Sequence, residues 1–89
     1  MARFKLTTGE KWEYDYQGHK IVVCNGLDRC SLAVDGKIQD VHNGISLSTT
    51  LCGKVEGHAV KVSLGGFWNI RCDVFVNHEQ LTLVKKSEY

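Results

Sequence analysis

The chain has 89 residues, enough for one domain built around one core. Eleven Lys and Arg against ten Asp and Glu leave a formal charge of +1, without the basic surplus that a nucleic-acid binder needs to displace counterions from phosphates. No apolar run is long enough to span a bilayer, and the N-terminal Met-Ala-Arg-Phe-Lys-Leu-Thr-Thr holds no stretch fit for a secretory signal. The expectations are therefore no nucleic-acid partner, no membrane partner and a cytoplasmic setting, where the thiols of Cys24, Cys30, Cys52 and Cys72 stay reduced.

Alternation with period two, the mark of half-buried strands, recurs along the chain, and no window of a dozen residues keeps a helical period. Trp12, Tyr14 and Tyr16 alternate with Glu13 and Asp15; His19, Ile21 and Val23 alternate with Lys20, Val22 and Cys24. Cys30, Leu32 and Val34 follow, then Ile45 to Val55, Val60 and Val62, Trp68 to Val76, and Leu81 with Leu83. Between the runs stand Gln17-Gly18, Asp35-Gly36, Asn43-Gly44, Glu56-Gly57, Gly65-Gly66 and Asn77-His78. Such dipeptides readily reach the positive φ of two-residue hairpin turns. The pattern predicts an all-β domain over 1–89, an eight-stranded antiparallel meander with strands near 11–16, 19–25, 29–34, 37–42, 45–55, 58–64, 67–76 and 79–85. Residues 85–89 read as a polar tail, and the first eight residues as a segment able to add an edge strand.

A repeat runs through this series. Gly18-His19-Lys20-Ile21-Val22-Val23 matches Gly57-His58-Ala59-Val60-Lys61-Val62, and Arg29-Cys30-Ser31-Leu32-Ala33-Val34-Asp35 matches Arg71-Cys72-Asp73-Val74-Phe75-Val76-Asn77. Two copies are too few for a solenoid. They suit a sandwich or flattened barrel with an internal pseudo-two-fold repeat, its halves at about 11–42 and 45–85.

The repeated residues carry the functional expectations. His19, His58, Cys30 and Cys72 would be four zinc ligands related by the repeat, but no chelating Cys-x-x-Cys or His-x-x-x-His pair accompanies them. Their parity favours core thiols and rim histidines bonded to turn carbonyls, so no metal or other cofactor is expected. A Cys30–Cys72 disulfide is the other reading of the thiols, and its narrow geometry is not a matter of sequence. No nucleophile elbow, phosphate loop or paired-carboxylate motif appears, which argues against an enzyme. Arg29 and Arg71, with Lys20 and Lys61, would line a polar face able to bind carboxylates, and Phe67 and Phe75 share the parity of Arg71. The N-terminal Phe4 and Leu6 would otherwise cover that face. Trp12, Tyr14 and Tyr16 read as a core row, or as a stacking platform.

His19-Lys20-Ile21 followed by Val34-Asp35-Gly36-Lys37 resembles a hairpin of the Fas apoptosis inhibitory molecule family over residues 19 to 37, with a departure at Val76-Asn77-His78-Glu79. The second half resembles small bacterial all-β proteins that carry a Gly-Gly hairpin before a Cys-x-(Ile/Val)-Phe-Val-(Asp/Asn) segment. These resemblances imply a non-enzymatic β-sandwich acting through protein contacts. The expected function is a binding module, with a protein partner at the Arg29, Arg71, Phe67 and Phe75 face or a homodimer through the end strands 11–16 and 79–85. The alternative is a metal-binding or redox-responsive domain using His19, His58, Cys30 and Cys72.

Overall fold

The computed structural model describes residues 9–26, 29–44, 48–66 and 70–88. The chain is all-β, with nine strands among the described residues: β1 (Glu10–Tyr16), β2 (His19–Asn25), β3 (Arg29–Val34), β4 (Lys37–Asn43), β5 (Ser48–Val55), β6 (His58–Gly65), β7 (Arg71–Val76), β8 (Glu79–Gln80) and β9 (Lys85–Glu88). They form two antiparallel sheets, ordered β4-β3-β2-β1-β9 and β5-β6-β7-β8. The architecture is thus a sandwich, and the barrel alternative does not hold.

Four tight turns set the register. Gln17-Gly18, Asp35-Gly36, Glu56-Gly57 and Asn77-His78 each hold both central residues at positive φ, the backbone whose twist matches the flanking strands. Tyr16 therefore faces His19 and Val55 faces His58 across their hairpins. The pleat then sends alternate residues to a common interior. Trp12, Tyr14, Ile21, Val23, Cys30, Leu32 and Val34 come from the first sheet, and Leu51, Val55, Val60, Val62, Leu64, Val74 and Val76 from the second. These residues are the core, and it contains no buried polar or charged side chain among those described. Burying them supplies the dominant stabilising term. Trp12 and Tyr14 are core residues rather than a stacking platform, and Tyr16 packs partly buried against them.

The C-terminal region departs from the predicted meander. The strand expected over 79–85 ends at Gln80, and residues 81–84 cross from one sheet to the other. Leu81 N–H donates to Val74 O at 2.8 Å on the second sheet, and Val84 N–H donates to Glu13 O at 2.9 Å on the first. The expected polar tail is strand β9, paired antiparallel with β1 from Glu10–Glu88 to Glu13–Lys85. Lys86 sits over the Trp12 ring at 5.9 Å and pairs with Glu10 at 3.4 Å, so cation–π attraction helps seat the strand. Strand β9 consequently covers the outer edge of β1 over Glu10–Glu13. Of the predicted strand starts, 45–47 and 67–69 lie outside the described residues, as does the N-terminal segment with Phe4 and Leu6.

The other side of the sandwich is stitched by a bulge. Pairing between β3 and β4 shifts between Leu32 and Ala33, so that Ala33 faces Ile38 and Leu32 faces Asp40, leaving Gln39 as the extra residue. Asp40 then accepts from Val41 N–H and, across the gap between sheets, from Cys52 N–H, each at 2.9 Å. The second bond occupies an outward donor of edge strand β5. Gly53 beside it leaves room for the bulge, since a Cβ there would lie 2.9 Å from Gln39 Cβ and 3.1 Å from Leu32 Cδ2.

Two substitutions test this account. Gly53→Val overpacks the contact with Gln39 and Leu32 and should lower unfolding free energy by about 1–3 kcal/mol in urea titrations. His78, the one second turn position without glycine, is held at φ 67°. His78→Gly relieves the left-handed penalty and should raise stability by about 1 kcal/mol in the same assay.

Candidate functional site

The residues expected to form one site divide between two surfaces. Arg29 and Lys20 belong to the outer face of the five-stranded sheet, and Arg71, Lys61 and Phe75 to the outer face of the four-stranded sheet. Matching positions in the sequence repeat land on sheets that pack back to back, so the two arginines point away from each other and form no shared bidentate surface. Phe67 lies outside the described residues. Lys20 is engaged locally, 3.5 Å from Glu13.

The outer face of the five-stranded sheet grades from charged to apolar. Cross-strand pairing lines up Lys85, Glu13, Val22, Ala33 and Ile38 in one row, and Ser87, Lys11, Cys24, Ser31 and Val41 in the next. Ile38 and Val41, at the β4 edge, are 65% and 39% exposed.

The outer face of the four-stranded sheet is concave. One row, Cys52, Lys61, Phe75 and Gln80, crosses all four strands. Its members Cys52, Lys61 and Phe75 line an open depression of about 640 Å³ whose walls include Thr50, Ala59, Ser63 and Asn77. Phe75 is partly buried while Lys61 and Cys52 are exposed, so the floor offers an apolar ring flanked by a cation and a thiol. Arg71 lies four residues before Phe75 on the same strand and face, roughly 13 Å away. Asp73, between them, accepts from Gln80 Nε2 at 2.9 Å.

The histidines and cysteines do not converge. His19 and His58 open β2 and β6 at the end of the sandwich that carries the tight turns, whereas Cys30 and Cys72 stand near the starts of β3 and β7, at the opposite end. Among the described residues no group of three His, Cys, Asp or Glu side chains is arranged to hold a metal ion. The four thiols are free. Cys30 lies against Thr49 of β5, and Cys72 against Tyr14 of β1, whose hydroxyl donates to Cys72 O at 3.2 Å and lies 3.4 Å from Sγ. The two thiols thus meet different strands, β5 and β1, and form no disulfide with each other.

Burial governs the chemistry of these groups. It pushes the Cys72 thiol up to about 11, against the opposing pull of the Tyr14 hydroxyl, and it raises Cys30 and Cys24 as well. Burial, reinforced by Cys72, also holds the Tyr14 phenol above its ordinary value. Thiols held protonated are poor nucleophiles and poor metal ligands.

Sequence reasoning expected the histidines to bond turn carbonyls; their partners are turn side chains instead. His19 Nδ1 lies 2.6 Å from Asp35 Oδ2 in the β3–β4 turn, and Nε2 lies 2.5 Å from Glu56 Oε1 in the β5–β6 turn. Asp35 Oδ1 also accepts from Lys20 N–H at 3.0 Å. In the matching place His58 Nδ1 meets the Asn77 side-chain amide at 2.6 Å, and Tyr16 packs edge-on against the His58 ring. The Asp35 and Asn77 partners were legible in the repeat, where both end the Arg-Cys segment. Glu56 was not, because it belongs to the other half.

Thiol reactivity checks the burial pattern. In native protein an aromatic disulfide reagent should modify Cys52 first, with Cys30 and Cys72 reacting only as urea unfolds the chain. Rapid modification of all four without denaturant would contradict it.

Comparison with protein-family models, with curated proteins and with solved structures yields no match to this chain.

Proposed function

We propose that the chain is a non-enzymatic interaction module that binds a protein partner on the outer face of its four-stranded sheet. The observation that carries this reading is the depression crossed by the row Cys52, Lys61 and Phe75. A partly buried aromatic ring with an adjacent cation on a concave sheet face is the kind of anchor on which protein contacts concentrate energy. The partner segment that suits it presents an apolar side chain to Phe75 and a carboxylate to Lys61, with Arg71 available to a longer acidic stretch. The separation of cysteines from histidines, and the raised thiols of Cys30 and Cys72, support a binding role over a catalytic one. The hairpin resemblance at residues 19 to 37 fits the same class.

Site-directed photocrosslinking in the native host tests the proposal. A photoreactive side chain at Ala59, on the depression, should give a discrete protein adduct, and one at Ala33 on the opposite sheet should not. Phe75→Ser or Lys61→Glu, with thermal unfolding unchanged, should reduce the adduct about tenfold or more. An adduct insensitive to both substitutions, or formed equally from Ala33, would overturn the assignment.

A further inference from the structure

The His19 contact joins two elements distant in sequence and lying on different sheets. Asp35 belongs to the β3–β4 turn of the five-stranded sheet and Glu56 to the β5–β6 turn of the four-stranded sheet. A neutral imidazole carries one N–H, so it can donate to one carboxylate; only the imidazolium donates to both. Two ring nitrogens that each face a carboxylate oxygen are therefore both satisfied as donors only in the protonated ring.

We propose that His19 is a pH-operated latch between the two sheets, closed as the imidazolium and released at the β5–β6 turn when it loses its proton. The two carboxylates do not share the loss equally. Asp35 keeps a second donor, Lys20 N–H, within its own hairpin, which holds it beside His19. Glu56 is the longer and more exposed side chain, and it reaches in from the other sheet. The single remaining N–H thus stays with Asp35, and the inter-sheet contact is the one given up.

The direction follows from the neighbours. Asp35 first, and Glu56 with it, raise the His19 pKa, opposed only by partial desolvation; His19 in turn holds Asp35 below its ordinary value. The other groups of the packed elements look elsewhere: the Lys20 ammonium pairs with Glu13, and His58 of β6 meets Asn77 and Tyr16. Because the folded pKa lies above the unfolded value of about 6.5, the stabilisation is complete below that value and is lost as pH rises through the folded pKa. The second half lacks the device, since Asn77 stands where Asp35 does and carries no charge. The latch is independent of the partner assigned above, although the β5–β6 turn it holds leads directly into Ala59 at the depression.

Nuclear magnetic resonance of the full chain tests this. Nitrogen-15 spectra of the imidazoles should show both His19 ring nitrogens protonated at acid pH, with a midpoint above that of an ordinary histidine. Glu56→Gln should lower that midpoint towards the ordinary histidine value. The Glu56 carboxyl carbon shift should move with the same midpoint, and this inflection should vanish in His19→Gln. A His19 midpoint at or below the ordinary value, or a Glu56 carboxyl that ignores the His19 titration, would overturn the proposal. Asp35→Asn copies the arrangement found at His58 and Asn77 and so should fold; a latch that opened and closed unchanged in it would also count against the mechanism.

Discussion

Register is the constraint on which the sandwich depends. Four two-residue turns, at 17–18, 35–36, 56–57 and 77–78, fix the register in which their strands begin to pair. A slip of one residue would turn Ile21, Val23, Val60 and Val62 outward and bring Lys20, Val22 and Lys61 into the core. The same turns collect at one end of the molecule, and this is why His19 meets Asp35 and Glu56, and His58 meets Asn77, although these residues span four hairpins. Hydrophobic alternation and turn chemistry agree in the hairpins β1–β2 and β5–β6, the consistency expected of a sequence that specifies one structure.

The two sheets are built from matching segments yet solve the interface differently. Tyr14 stands opposite Ile21, and Gly53 opposite Val60, positions equivalent by the repeat. Tyr14 reaches through the core to the Cys72 carbonyl, joining the sheets by a partly buried hydrogen bond. Gly53 instead yields space to Gln39 and Leu32, where the bulge of β4 comes down. Edges are managed unequally too: Asp40 occupies a donor of β5, and the crossing at 81–84 leads the chain onto β1. Exposed strand edges invite pairing with other chains, and these devices leave fewer of them.

Much of this architecture was legible in the residues. Period two and the paired turn dipeptides announce the strands, and parity places Cys30, Leu32, Val34, Val74 and Val76 inside. Strand β9 was not legible, because Lys85-Lys86-Ser87-Glu88 has no apolar alternation; its pairing rests on backbone bonds to β1 and on Lys86 over Trp12. The division of Arg29 from Arg71 was hidden for a different reason. A repeat says which residues are equivalent but not whether the copies lie side by side or back to back. The link from His19 to Glu56 required the same missing information, namely which turn of the second half faces which strand of the first.

Strand β9 also bears on how the molecule assembles. Hairpins β1–β2, β3–β4, β5–β6 and β7–β8 each close over two residues, while the β1–β9 ladder joins segments from near the two ends of the chain. The entropy lost in closing so wide a loop is recovered only once the intervening sheets have formed. Loop closure therefore places the docking of the C-terminal strand late, and only four residue pairs hold it to β1. Its departure would uncover the backbone of β1 and the flank of Trp12, turning a protected interior strand into an open edge while the sandwich itself stays folded.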